Sequence, residues 1–171
     1  MSGAPVAAEA RLVQVVLIGD PLARLSALEE ADRAQAVADL AADSRFAPIV
    51  TTASAAGAAP PVGPYMLRLG LFQGRLLFDI RTAADAPIVA VGLALGPFRR
   101  LVKDYRLLVE SYAGAIAEGR EVRIQVIDMG RRGLHDEGAR LLLARLAGKI
   151  AMDFATARRL FTLVCVLHQR H

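Results

Sequence analysis

One cysteine, no tryptophan, two lysines and no apolar run of membrane-spanning length set the first bounds on this 171-residue chain. With Cys165 alone, no internal disulfide can form and the paired spacing of a zinc site is missing. Aromatic residues are only 5% of the chain, so the stacking platforms on which single-strand nucleic-acid binders rely are scarce. No helix-turn-helix, zinc-finger or RNP-like pattern occurs, which argues against sequence-specific DNA recognition. The longest useful apolar run, Leu160 to Leu167, is eight residues and includes Thr162, far short of the roughly 20 a bilayer span needs. Residues 1–10 hold no Lys or Arg, so the charged opening of a secretory signal peptide is missing and the cytoplasm is the expected location. No HExxH or comparable ligand pair is present. His135, Asp136 and Glu137 are adjacent and cannot all face one ion from a helix, and His168 and His171 sit at a fraying chain end. The expectation is no metal and no cofactor.

What is present is a 54% apolar composition in 18.2 kDa, enough for one domain spanning 1–171 with a substantial core. The net charge of +4 is unevenly spread. Residues 1–97 carry seven Arg against nine acids, a net of −2, whereas residues 98–171 carry twelve Arg and two Lys against eight acids, a net of +6. A basic C-terminal half suits phosphates or an acidic protein surface. Arg as the general surface base of an Arg-favouring genome is an equal alternative.

Residues 11–18 (RLVQVVLI) read as a strand closed by Gly19-Asp20-Pro21. Ser26 and Glu29 have capping-box spacing before an Ala-rich helix running to about Ala42. The uncharged, proline-rich stretch 53–64 reads as an exposed, mobile loop within the domain. A three-stranded meander follows over 65–72, 75–81 and 87–95. The last strand is apolar at almost every position, which predicts cover on both faces. From Pro97, the residues Phe98, Leu101, Val102, Tyr105, Leu108, Val109, Tyr112 and Ile116 recur at helical spacing up to a stop at Gly119. Residues 121–129 fit either strand or helix, with helix favoured. A helix is expected over 134–147, then a short extended step at 149–152. Asp153 caps a last helix to about 169 that is apolar nearly all round and therefore core. The fold class is α+β: a small, mainly antiparallel sheet of about four strands with about four helices and a buried C-terminal helix.

Three arginine pairs punctuate the basic half: Arg99-Arg100, Arg131-Arg132 and Arg158-Arg159. Arg99 and Arg100 lie in the first turn of a helix, where exposed N–H groups make each cation unfavourable by about 0.3–1 kcal/mol unless an anion answers it. Lys103 and Arg106 share a face with Arg99, while Arg100 can pair with Asp104 four residues on. The segment 127–138 (IDMGRRGLHDEG) concentrates Asp128, Arg131, Arg132, His135, Asp136 and Glu137 among three glycines. Interior glycines cost a helix about 1 kcal/mol each, which suggests a turn or a close approach. The functional alternative is a Gly-Arg-Arg-Gly bend holding an oxyanion, with His135 as proton donor and Asp128 orienting an arginine. The plainer one is an interhelical elbow whose arginines pair with Asp128 and Glu137. Arg158 and Arg159 open the last helix, where pairing with a carboxylate elsewhere in the fold is expected. Cys165 reads as a core residue.

The stretches 63–81 (GPYMLRLGLFQGRLLFDIR), 97–112 (PFRRLVKDYRLLVESY), 127–138 (IDMGRRGLHDEG) and 148–168 (GKIAMDFATARRLFTLVCVLH) strongly resemble the bacterial uncharacterised protein family (UPF) 0262. The resemblance covers roughly the last two thirds of the chain. It implies an intracellular bacterial protein of this size and carries over no activity, cofactor or catalytic residue.

Three functional expectations follow. The leading one is a cytoplasmic binding or regulatory module whose anion site draws on Arg99, Arg100, Lys103, Arg131, Arg132, Arg158 and Arg159, with a phosphate-bearing ligand, nucleic acid or acidic protein surface as partner. A second is a small enzyme acting on a phosphorylated or carboxylated metabolite, with His135 as acid/base and Asp128 or Glu137 assisting. A third is a structural protein–protein interaction domain in which the arginines form salt bridges.

Overall fold

Alternation of apolar residues builds the sheet. The computed structural model describes residues 9–19, 25–49 and 62–168. Within them β3 (Tyr65–Phe72), β4 (Arg75–Thr82) and β5 (Pro87–Ala94) form the antiparallel meander, and β1 (Leu12–Ile18) adds to β3 in parallel, giving the order β1-β3-β4-β5. Leu67, Leu69, Leu76, Phe78 and Ile80 are fully buried on one face, as a two-residue period requires. Gln73 and Gly74, with φ of 50° and 74°, close the β3–β4 hairpin with the left-handed pair that matches strand twist. The expected loop at 53–64 lies outside the described residues except for 62–64.

One expectation for the sheet is overturned. The strand β5 is not covered on both faces: it is an edge strand, Leu93 is its only buried residue, and Val89 is 36% exposed. The reason is its place at the sheet's edge, where even Val89, opposite the buried Ile80 on the inner face, keeps one flank open. The outer face holds the ion pairs Arg68–Asp85 at 2.9 Å and Arg81–Asp79 at 3.0 Å beside exposed Val16 and Ile18. A second, two-stranded sheet pairs β2 (Phe46–Pro48) with β6 (Ile150–Met152), ribbons too short to announce themselves by alternation.

Four α-helices lying wholly within the described residues supply the rest. In α1 (Ala27–Ala42) the Ser26 hydroxyl oxygen accepts from the Glu29 N–H, the cap expected from the spacing, while the Glu29 carboxylate accepts from the Ser26 hydroxyl where a full capping box would have it accept from the Ser26 N–H. A 3₁₀ turn at Gly96–Phe98 leads into α2 (Arg99–Glu118), which ends at Gly119 with φ 67°. The apolar stripe on α2 is core from Phe98 through Val109, but Ile116 is 53% exposed while its neighbour Ala115 is buried, so in the last turns the buried face runs through Ala115. Asp153 caps α4 (Phe154–Leu167) by accepting from the Thr156 N–H, and that helix is buried almost throughout.

Between them runs α3 (Glu121–Leu146), an uninterrupted helix of 26 residues. Residues 121–129 are therefore helical, and neither the Gly-Arg-Arg-Gly bend nor the interhelical elbow exists. The glycines have another cause, at least at Gly138. A Cβ there would lie 2.3 Å from Phe161 Cδ2, so glycine lets the ring of α4 press against the α3 backbone. Gly130 and Gly133 meet no such neighbour: a Cβ at Gly130 would sit 3.6 Å from Leu108, and one at Gly133 would meet open space. Among the described residues, no helix is long and apolar enough to cross a membrane.

Candidate functional site

The seven basic residues singled out above separate into two concave regions and one surface arginine. The first region is a groove of about 640 Å³ between α2 and the β3–β4 turn. Arg99, Lys103 and Arg106 line it at i, i+4 and i+7, one face of α2. Leu71, Leu95 and Val102 give it an apolar floor, and Gln73, Gly74 and His168 complete its rim. None of the three cations has a carboxylate partner among the described residues. The first turn of α2 contains no acid, so no carboxylate of that turn offsets the Arg99 charge at the helix N-terminus.

Arg100 is not in this groove. It points toward α3, where it donates to Glu137 and, at 3.3 Å, to Asp104. At 65% exposure this is a surface cluster worth a fraction of the roughly 0.2–1 kcal/mol typical of exposed pairs.

The second region is a cleft of about 320 Å³ among α1, α3 and α4. It gathers Arg131, Arg132 and His135 from α3, Arg158 and Arg159 from α4, and Asp32 and Asp39 from α1. Two of its four arginines are firmly matched. Arg131 donates to Asp32 at 2.6 Å and to Asp128 at 3.3 Å, and Arg158 donates to Asp136 at 2.8 Å. Burial opposes the Arg131 charge, but Asp32 outweighs it and holds the guanidinium above its usual range. Asp32 also accepts the Tyr105 hydroxyl at 2.8 Å, and burial together with that carboxylate pushes the phenol upward. Arg159 donates to the Asp43 carbonyl at 2.7 Å and meets the Asp39 carboxylate only at 4.0 Å. Arg132 has no carboxylate partner among the described residues.

His135 lines the same cleft. Its ring stacks on Tyr105 with centroids 5.8 Å apart and meets the edge of Phe161 at 6.0 Å. The residue is 6% exposed, and its Nε2 is buried with no hydrogen-bond partner among the described residues, a deficit of about 1–3 kcal/mol for a buried polar group. Burial, reinforced by Arg158, pulls its pKa down to about 4, so the imidazole is neutral at neutral pH. A proton donor at that position would have to carry a charge that its surroundings oppose. The carboxylates named as its assistants are not beside it: Asp128 is taken up by Arg131, and Glu137 is paired with Arg100 beside Asp104 in a different depression. Burial also pushes the Cys165 thiol upward, which leaves it inert in the core.

Asp32, Asp39 and Tyr105 are the members that reading by charge pairs overlooked. Asp32 carries a legible signal, since Glu29, Ala36 and Leu40 are the buried residues of α1 and Asp32 falls on their helical stripe. A carboxylate on a core-facing stripe needs a cation from elsewhere in the chain. Among the described residues, no group of three or more His, Cys, Asp or Glu is placed to hold a metal ion.

Residues 9–170 match the model of the Uncharacterised protein family (UPF0262). A UPF0262 protein of Granulibacter bethesdensis is 59% identical over 169 residues, covering 96% of this chain and 93% of the relative. A UPF0262 protein of Acidiphilium cryptum is 54% identical, covering 94% and 93%, and one of Nitrobacter hamburgensis is 48% identical, covering 92% and 91%. No solved structure matches the chain. Matched over nearly its whole length at this level of identity, the chain belongs to the bacterial uncharacterised protein family UPF0262.

Proposed function

We propose that this protein is a cytoplasmic binding or regulatory module whose anion site is the groove beside α2, and that its ligand carries phosphate. One observation carries the reading: Arg99, Lys103 and Arg106 line a single concavity and have no carboxylate partner among the described residues. Like charges held together at a helix start are unfavourable in the free protein. A phosphate in the groove reverses that sign, because guanidinium forks and an ammonium donate to its oxygens. The apolar floor of Leu71, Leu95 and Val102 suits a phosphate joined to a less polar body. The remaining arginine pairs are less available, since Arg100, Arg131 and Arg158 already hold carboxylates.

The test is isothermal titration with pyrophosphate, nucleotides and a short RNA at two salt concentrations. Binding that weakens with salt and is lost in Arg99→Ala/Lys103→Ala/Arg106→Ala supports the reading. No heat of binding at low salt ends it.

A second reading, a protein-docking domain, is favoured by Val122, Val126 and Met129. They recur at i, i+4 and i+7 on α3 and are 76%, 62% and 71% exposed. Light scattering coupled to size exclusion tests it: a monomer that retains no partner counts against it.

A further inference from the structure

We infer that the cleft among α1, α3 and α4 is a second, separate ligand site, taking a small carboxylate- or phosphate-bearing molecule through Arg132 and Arg159 and a further hydrogen-bonding group of it through His135. The inference goes beyond the groove and does not depend on it.

The four arginines of the cleft divide into two kinds. Arg131 and Arg158 are fixed by carboxylates at 2.6 Å and 2.8 Å, and Asp32 is fixed in turn by the Tyr105 hydroxyl, so these residues form a wall that cannot easily reorganise. Arg132 and Arg159 are the other kind. Arg132 has no acidic partner among the described residues, and Arg159, which gives one N–H to the Asp43 carbonyl at 2.7 Å, meets the Asp39 carboxylate only at 4.0 Å, longer than a charge-assisted hydrogen bond. Both residues line the concavity from helices, beside Asp32 and Asp39, so an oxyanion there meets the arginine donors that those carboxylates do not hold.

The independent observation is His135. It is a lining residue of this cleft, 6% exposed, and its Nε2 finds no partner among the described residues. Buried polar atoms are nearly always satisfied, and unsatisfied ones gather where a ligand or a bound water completes them. The imidazole is neutral there, held so by burial and by Arg158, and therefore offers one donor and one acceptor rather than a charge. That favours a hydroxyl or amide of the ligand, or a water it retains, over a second anionic group. A cleft of about 320 Å³ limits the ligand to metabolite size, and the polar lining from Gln35 and Thr162 excludes a mainly apolar one.

The test uses the whole chain and two probes, inorganic phosphate and succinate, each followed by NMR of the His135 ring nitrogens and the arginine Nε–H groups. At least one probe should shift the His135 and Arg132 signals along a saturable curve. Arg132→Ala should then weaken apparent affinity by about tenfold, the size of one lost charge-assisted hydrogen bond, while Arg99→Ala leaves it unchanged. Arg132 is exposed, so its removal does not threaten folding. The inference is overturned if neither probe moves His135, or if the curve survives Arg132→Ala. A response abolished by Arg99→Ala but kept in Arg132→Ala assigns the anion to the groove alone and overturns it equally. Because groove and cleft answer to different variants, failure of either is readable without the other.

Discussion

The groove beside α2 and the cleft among α1, α3 and α4 are both built on basic side chains at helical spacing, yet they solve opposite problems. In the cleft, acids from α1 and α3 meet Arg131 and Arg158 at hydrogen-bonding distance, so half of its arginines serve to hold three helices together. In the groove, Arg99, Lys103 and Arg106 meet no acid among the described residues, and the charge is left facing solvent. An arginine pair in a sequence therefore says little by itself. What distinguishes a bolt from a hand is the carboxylate that a distant segment brings, here Asp32, about a hundred residues before Arg131.

The comparison breaks first, and hardest, at Asp32. Replacing it with alanine strands a half-buried guanidinium and a buried phenol together, and Asp32→Ala should lose about 3–4 kcal/mol in urea unfolding. A loss below about 1 kcal/mol would show that the cleft is not structural. The pH dependence comes next. His135 titrates near 6.5 in the unfolded chain and near 4 in the folded one, so the unfolded state takes up the proton first as pH falls. Stability is intact above pH 6.5 and declines by about 3 kcal/mol between 6.5 and 4 on account of this group. His135→Phe should flatten that part of the profile when unfolding midpoints are compared at neutral and acid pH, and an unchanged slope would assign the acid loss to carboxylates alone.

Packing beneath the cleft gives a smaller effect. Gly138→Ala drives a methyl into the Phe161 ring, and although alanine favours the helix, the net should be a loss of about 2 kcal/mol. Gly133→Ala meets open space and should instead be stabilising by about 0.5–1 kcal/mol, a control on the same helix read by the same thermal melt. Least affected should be the groove: Arg99→Ala/Lys103→Ala/Arg106→Ala is expected to change stability by less than about 0.5 kcal/mol, or to raise it slightly by removing like charges from the helix start.

Much of the fold is legible in the residues because its signals are local. Period-two leucines, the Gln73-Gly74 turn, the Ser26–Glu29 cap and the Asp153 cap each act over a few positions, and each is found where its pattern lies. The misreadings have a common origin in long-range contact. The apolar run of β5 gives no sign that the strand lies at the sheet's edge. The glycines of 127–138 suggest a turn, because only the arrival of α4 shows that Gly138 is a seat for Phe161. The site divides the same way. Arg99, Lys103 and Arg106 are legible as one face of one helix. The partition of the other arginines depends on Asp32 and Asp39 from α1, and on Glu137 turning toward Arg100 rather than His135.

The central claim is that basic residues left unpaired by the fold are the ones that bind. Its most direct test is a pyrophosphate titration of the wild type beside two triple variants of equal charge loss, Arg99→Ala/Lys103→Ala/Arg106→Ala in the groove and Arg100→Ala/Arg120→Ala/Arg123→Ala elsewhere on the surface. Binding in the groove should vanish in the first and persist in the second, while binding in the cleft, carried by Arg132, is the same in both. Equal loss in both would mean that net charge alone attracts the anion, and the groove would have no special part in it.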